Sequence, residues 1–360
     1  KNLFKLVLVL TIFYMFIFLC AEVTAVSMLI QYISGTPLWL TSMIIITATI
    51  IYTLYGGLRA SIFTDNIQFL IVIIFLLISA IYFFSFNDVE FTFRSIKKNV
   101  PNLLSINYIP NFTAGLTFFI AVSATNLFHQ GNWQRVFAAK NNDVLKKSLL
   151  ISFFIIIPIV FFMGFTGLVA VSHNVNVNPD LAFFSILLKN QDKTLSLIIM
   201  ILAISLTIST LDTLINALSS LVIVDGKDVL KLKNDFFKLS RYFIIIISLI
   251  TFIIASRGYS ILYLFLLADL LCCAAVFTVF YSFYNKKLKE KHAIISILVG
   301  LFFGLLLFPN LDFSKSILVG LLIPFDFFPQ IISSFLLFWS FLVATLSPVI
   351  VIISYDSIKR

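Results

Sequence analysis

Apolar residues run in long uninterrupted blocks along this chain, at roughly 3–32, 37–55, 62–86, 111–130, 148–172, 194–224, 239–256, 259–284, 292–308 and 330–354. Most of these blocks carry the ~20 residues that an α-helix needs to cross a hydrocarbon core. They do not alternate with period two, which disfavours a strand barrel. The pattern predicts about ten transmembrane helices, joined by short polar connections. A short interfacial helix, capped by Asp180, is expected after residue 180.

Composition agrees with that picture. Hydrophobic residues make up 61% of the chain and charged residues 11%, beyond the usual range of a soluble domain. The net charge of +9 does not require a nucleic-acid partner. With the N-terminal end inside and the spans alternating, eighteen of the 25 Lys and Arg residues fall on inside segments and seven outside, as the positive-inside rule demands. The expected location is the plasma (inner) membrane, multi-pass, with the N-terminus of this chain cytoplasmic. Cys20, Cys272 and Cys273 lie in apolar runs and suggest neither a disulfide framework nor a zinc site. The chain opens on Lys1 without a signal-peptide pattern and is expected to be an N-terminally incomplete piece.

Four acidic residues fall inside the spans: Glu22, Asp65, Asp212 and Asp269. No Lys or Arg is expected deep enough to pair with them. A carboxylate in a membrane helix costs roughly 3 kcal/mol on insertion scales and is read by default as part of an ion or substrate path. In the 194–224 run, Ser205, Ser209, Asp212, Asn216 and Ser219 recur at steps of four and three, on one helical face. Thr210 and Thr213 flank that stripe. Hydroxyl and carboxylate oxygens suit a hard cation. The competing reading is that small polar residues hold helices together in membranes.

Three segments carry a family resemblance. Tyr55-Gly56-Gly57-Leu58 is followed by Thr64-Asp65 and Gln68; ISTLDTLINALSS contains Ser209, Thr210, Asp212 and Thr213; and NLFHQGNWQRVFAAKN contains Gln130, Gln134, Arg135, Ala138, Ala139 and Lys140. Together they resemble the sodium:solute symporter family, which includes proline, pantothenate, glucose and sialic acid cotransporters. The resemblance implies an all-α polytopic membrane protein of the LeuT-type inverted-repeat helical bundle. It also implies that the first core helices are missing, that core helices 3 to 10 occupy residues 1–284, and that peripheral helices occupy 285–360.

It further implies that Ser209 and Thr210 are hydroxyl ligands of a sodium ion, with Asp212 and Thr213 joining Asp65 in a second sodium site. The polar stretch ending the fourth run would be partly unwound beside the solute, with Asn126, Phe128, His129 and Gln130 as contacts. Glu22 is a further candidate, without a family match. Trp133 reads equally as an interfacial anchor, and Arg135 and Lys140 as ordinary inside-loop charges.

The expected activity is secondary active uptake of a small polar solute, such as an amino acid, urea or a carboxylate, coupled to sodium. Protons stay open as an alternative coupling ion, since Asp65 and Asp212 could share one. Partners are the solute and the lipid bilayer, with the oligomeric state open and no organic cofactor expected. Neither a phosphate-binding loop nor a nucleophile or zincin motif is present, so no catalytic residue is assigned and an enzyme is not expected. Two other readings remain: the membrane sensor domain of a histidine kinase, and a non-functional truncated product.

Overall fold

The computed structural model describes residues 1–173, 178–188, 193–226, 229, 236–285, 288–316, 318–319 and 329–357, with the side chains of 52, 54–61, 236–237 and 356–357 left aside. Its elements are α1 (Asn2–Ser34), α2 (Leu38–Phe86), α3 (Val89–Asn99), α4 (Ile109–Phe128), α5 (Gln130–Ala138), α6 (Asn142–Ser172), α7 (Ala182–Leu187), α8 (Lys193–Ser220), α9 (Phe236–Ala255), α10 (Ile261–Tyr284), α11 (Glu290–Leu307), α12 (Gln330–Ser334) and α13 (Leu336–Ser357). Among the described residues, nine helices are long and apolar enough to cross a membrane, and Leu38–Ile51 forms a shorter apolar helix. All ten expected runs are thus helical, and the protein is an all-α polytopic membrane protein. The runs 37–55 and 62–86 both fall in α2. The backbone of Tyr55-Gly56-Gly57-Leu58, where a connection between the two runs is expected, is helical within α2.

Local signals explain the helix ends. Gly35 closes α1 in the left-handed conformation (φ 73°), with its N–H on the Gln31 carbonyl at 2.8 Å, where a Cβ would be strained. Pro37 then opens α2 in extended geometry. Asp88 and Asn141 cap α3 and α6 by accepting from Glu90 N and Val144 N.

Asp180 differs from expectation. Asn178 caps the 3₁₀ turn before α7, while the Asp180 carboxylate reaches across the chain to accept from Ile261 N at 3.0 Å and Leu262 N at 3.4 Å. It therefore caps α10 and not its own helix, because a carboxylate satisfies whichever free N–H groups the packing presents. Asp180→Ala should lower stability by about 1 kcal/mol, read as an earlier thermal unfolding midpoint in detergent, with Asp180→Asn retaining most of it.

The core is built on α1 and α10. Helix α1 packs against α2, α8, α9 and α10, and α10 also contacts α4, α11 and α13. Close approach of α11 to α13 depends on small residues. A Cβ on Gly304 would come within 2.8 Å of the Ala344 Cβ, and one on Gly300 within 2.7 Å of Pro348 Cγ. Such spacing lets backbones meet where lipid offers no hydrophobic drive.

Candidate functional site

Two polar centres lie inside this bundle. The first sits where α2 and α8 pack together, with α5 laid against α8. Ser209 donates to Asp65 Oδ1 at 2.7 Å. Arg135 donates through Nη2 to Asp65 Oδ2 and, at 2.7 Å, to Thr213 Oγ1. Asp65 and Arg135 are partly buried, with 22% and 33% of their side chains exposed.

Arg135 is the main correction to the sequence reading. It is not an inside-loop charge, and Asp65 is not a carboxylate without a cation. The helix break at His129, whose backbone is extended (φ −68°, ψ 103°), turns α5 back against α8. Two local contacts stabilise that break: Asn132 N donates to His129 Nδ1, and Trp133 Nε1 donates to the Leu127 carbonyl at 2.8 Å. Trp133 thereby satisfies a carbonyl at the end of α4.

Gly131 permits the docking. A Cβ there would meet Thr213 Cγ2 at 2.4 Å and His129 Cε1 at 2.9 Å. One turn later on α5, the long guanidinium reaches Asp65 and Thr213.

Asp212 points elsewhere. It is 1% exposed, and its Oδ1 accepts from Asn216 Nδ2 at 2.7 Å and Thr53 Oγ1 at 3.0 Å. Its Oδ2 has no partner among the described residues. No hydrogen bond joins Asp212 to Asp65, because positions 209 and 213 face Asp65 while 212 and 216 face Thr53. Thr210 spends its hydroxyl on the Leu206 carbonyl at 3.1 Å. At the end of the stripe, the Ser219 and Ser240 hydroxyls are 2.8 Å apart between α8 and α9, which is the helix-packing role.

The second centre lies between α1, α4 and α10. Thr125 Oγ1 is 2.6 Å from Asp269 Oδ1, and both residues are buried. The expected solute contacts distribute unevenly around it. His129 lies edge-on to Tyr14 (6.2 Å) and Phe18 (6.3 Å), and Phe128 is buried against Phe280. Phe128 and Gln130 line a cavity of about 450 Å³ with Thr11, Trp133 and Asp225. Asn126 is exposed on α4 and bonded to the Val122 carbonyl. The partial unwinding expected here is confined to the single residue His129. Glu22 joins none of these hydrogen-bonded groups.

Sequence reasoning missed Arg135, Thr53 and Thr125 as partners. Gly131, a glycine three residues into a polar segment, was the available signal for Arg135.

Comparison with known proteins agrees with this architecture. The chain is similar to the spermidine transporter DUR31 of Candida albicans, with 28% identity over 269 residues, covering 74% of this chain and 50% of that protein. It thus spans about half the length of that relative. The family model of the sodium:solute symporter family matches residues 1–300, most of the 360 residues, and the chain belongs to that family.

Proposed function

We propose that this chain forms most of the core of a secondary active transporter that couples inward sodium movement to uptake of a small polar solute. In this reading residues 1–284 are core helices 3 to 10 of a LeuT-type inverted repeat, 285–360 are peripheral, and the N-terminal end is cytoplasmic at a plasma (inner) membrane. The observation that carries it is the convergence of the Asp65 carboxylate with the Ser209 and Thr213 hydroxyls between α2 and α8. Three hard oxygen donors on two packed membrane helices suit sodium. Thr210, one residue along α8, supplies a fourth oxygen donor once released from Leu206.

Arg135 gives the site its switch. In this conformation a guanidinium holds the charge that sodium would balance, so cation and arginine are alternatives at Asp65. Helix α5 is flanked by extended residues at His129 and Ala139 (ψ 137°), which provides hinges for withdrawing Arg135. Sodium binding would then favour the conformation with α5 displaced, and solute binding to that same conformation links the two ligands.

The test is uptake into proteoliposomes by the complete protein. Asp65→Asn and Thr210→Ala should each raise the sodium concentration for half-maximal uptake. Unchanged sodium dependence in both would remove sodium, and an imposed pH gradient would then test proton coupling. Spermidine, carried by the similar protein's name, belongs in the solute panel beside amino acids, urea and carboxylates.

A further inference from the structure

The cavity at one end of the bundle differs in chemistry from the Asp65 centre. It has a volume of about 450 Å³ and lies where α1 begins and where α4 and α10 end. Aromatic rings make up much of its wall. Phe128, buried, meets Phe280 edge-on at 6.5 Å, and Phe280 meets Phe283 edge-on at 5.8 Å. Trp133 and Phe137 of α5 add two more rings, 6.2 Å apart. Phe137 and Phe283 are exposed and mark the open side.

Among the described residues lining the cavity, Asp225 is the one charged side chain, and none is Lys, Arg or His. Asp225 ends a π-helical turn, Leu221–Asp225, that continues α8 and packs against α1 and α9. Leu221 lines the cavity too, so both ends of the turn face it. Turns of this kind are uncommon and recur at functional sites. Helix ends add little net charge, because α4 and α10 present C-termini while α1 and α5 present N-termini. The carboxylate sets the sign.

That lining selects among ligands. An anion would meet a carboxylate and no cation. A bare metal ion would find the Asp225 carboxylate, the Gln130 amide and the Thr11 hydroxyl, short of the full oxygen shell it needs. A purely apolar chain would cover the carboxylate at a cost. An organic ammonium meets both the carboxylate and aromatic faces, which carry negative potential. We propose that this cavity binds an organic ammonium ion, its charge towards Asp225 and its hydrocarbon against Phe128, Phe280 and Trp133. Its role as a station for the transported solute rests on the transport reading above; the binding itself does not.

Helix α5 ties this cavity to the Asp65 centre. Gln130, Trp133 and Phe137, at steps of three and four, line the cavity. Gly131 and Arg135, four apart, face Thr213 on α8. One short helix is therefore a wall of both sites. With Arg135 on Asp65 that wall is in place, and sodium, by displacing α5, would open it. Sodium should accordingly weaken binding in the cavity.

The experiment is calorimetric titration of the complete protein in lipid nanodiscs with phenethylammonium, then with its neutral counterpart, phenethyl alcohol. Saturable binding of the ammonium is expected, with the alcohol about tenfold weaker, the size of one charged contact. Asp225→Asn should weaken the ammonium by about tenfold and leave the alcohol unchanged. Phe280→Leu keeps the charge and removes one ring, and should weaken the ammonium by about threefold and the alcohol less. Sodium should weaken the ammonium in the wild type and not in folded Asp65→Asn.

Equal binding of ammonium and alcohol would make the cavity an apolar groove for lipid chains and overturn the assignment. Absence of saturable binding to the folded wild type overturns it as well. Ammonium binding indifferent to sodium would keep the site and remove its link through α5. Sodium-driven uptake by a protein that fails the titration would leave the transport reading standing without this site.

Discussion

Neutralising Asp65 alone is expected to damage this protein more than neutralising Asp65 and Arg135 together. Arg135 donates to Asp65 and Thr213 from α5, and two-thirds of its side chain is out of solvent. Asp65→Asn leaves that guanidinium facing two α8 hydroxyl residues and an amide, without a counter-charge. A hydrogen bond to a charged group is worth about 1.5–3 kcal/mol, and stranding one charge of a partly buried pair costs at the upper end. The double variant Asp65→Asn with Arg135→Gln replaces the ion pair by neutral amides and leaves no charge stranded. Thermal unfolding in detergent across the four proteins should therefore be non-additive by about 1–3 kcal/mol.

Uptake supplies the independent reading. Arg135→Gln alone should lower the sodium concentration for half-maximal uptake, since it removes the competing cation from an intact carboxylate. Additivity within about 0.5 kcal/mol, together with unchanged sodium dependence in Arg135→Gln, would mean that the pair is incidental to coupling.

What the sequence revealed and what it withheld divide along physical lines. The ten apolar runs were legible because lipid imposes length and composition on each helix separately. Asp65 and the α8 stripe were legible because a carboxylate in such a run is conspicuous. The partners were not. Counting Lys and Arg by loop treats each as a solvated charge, yet Arg135 stands on a nine-residue helix folded back through a one-residue break. Its long side chain spans a gap that no spacing rule measures. Thr53 meeting Asp212 depends on how α2 rotates against α8, and Asp180 capping α10 on the fold bringing residues 180 and 261 together. Each is decided by tertiary packing. Even the small-residue stripe splits in two, with Ser209 and Thr213 on one partner and Asp212 and Asn216 on another, because α2 wraps that face of α8 at two levels.

Asp212 allows charge and packing to be separated cleanly. Its Oδ1 accepts both available donors, from Thr53 and Asn216, while Oδ2 accepts none among the described residues. In Asp212→Asn the amide oxygen can take the Oδ1 position and keep both bonds, and the amide nitrogen occupies a position that made no bond. Stability should stay within about 1 kcal/mol of the wild type. Asp212→Leu strands the Thr53 hydroxyl and the Asn216 amide in a buried setting, each costing about 1–3 kcal/mol, and should show a sharp drop in folded yield. Asp212→Asn therefore removes the charge without removing the packing. If Asp212 lends its negative charge to the coupling cation, this variant is made in normal amounts and loses sodium stimulation of uptake. Normal sodium stimulation would instead leave Asp212 as a hydrogen-bonded tie between α2 and α8, and the cation would belong to Asp65, Ser209, Thr210 and Thr213.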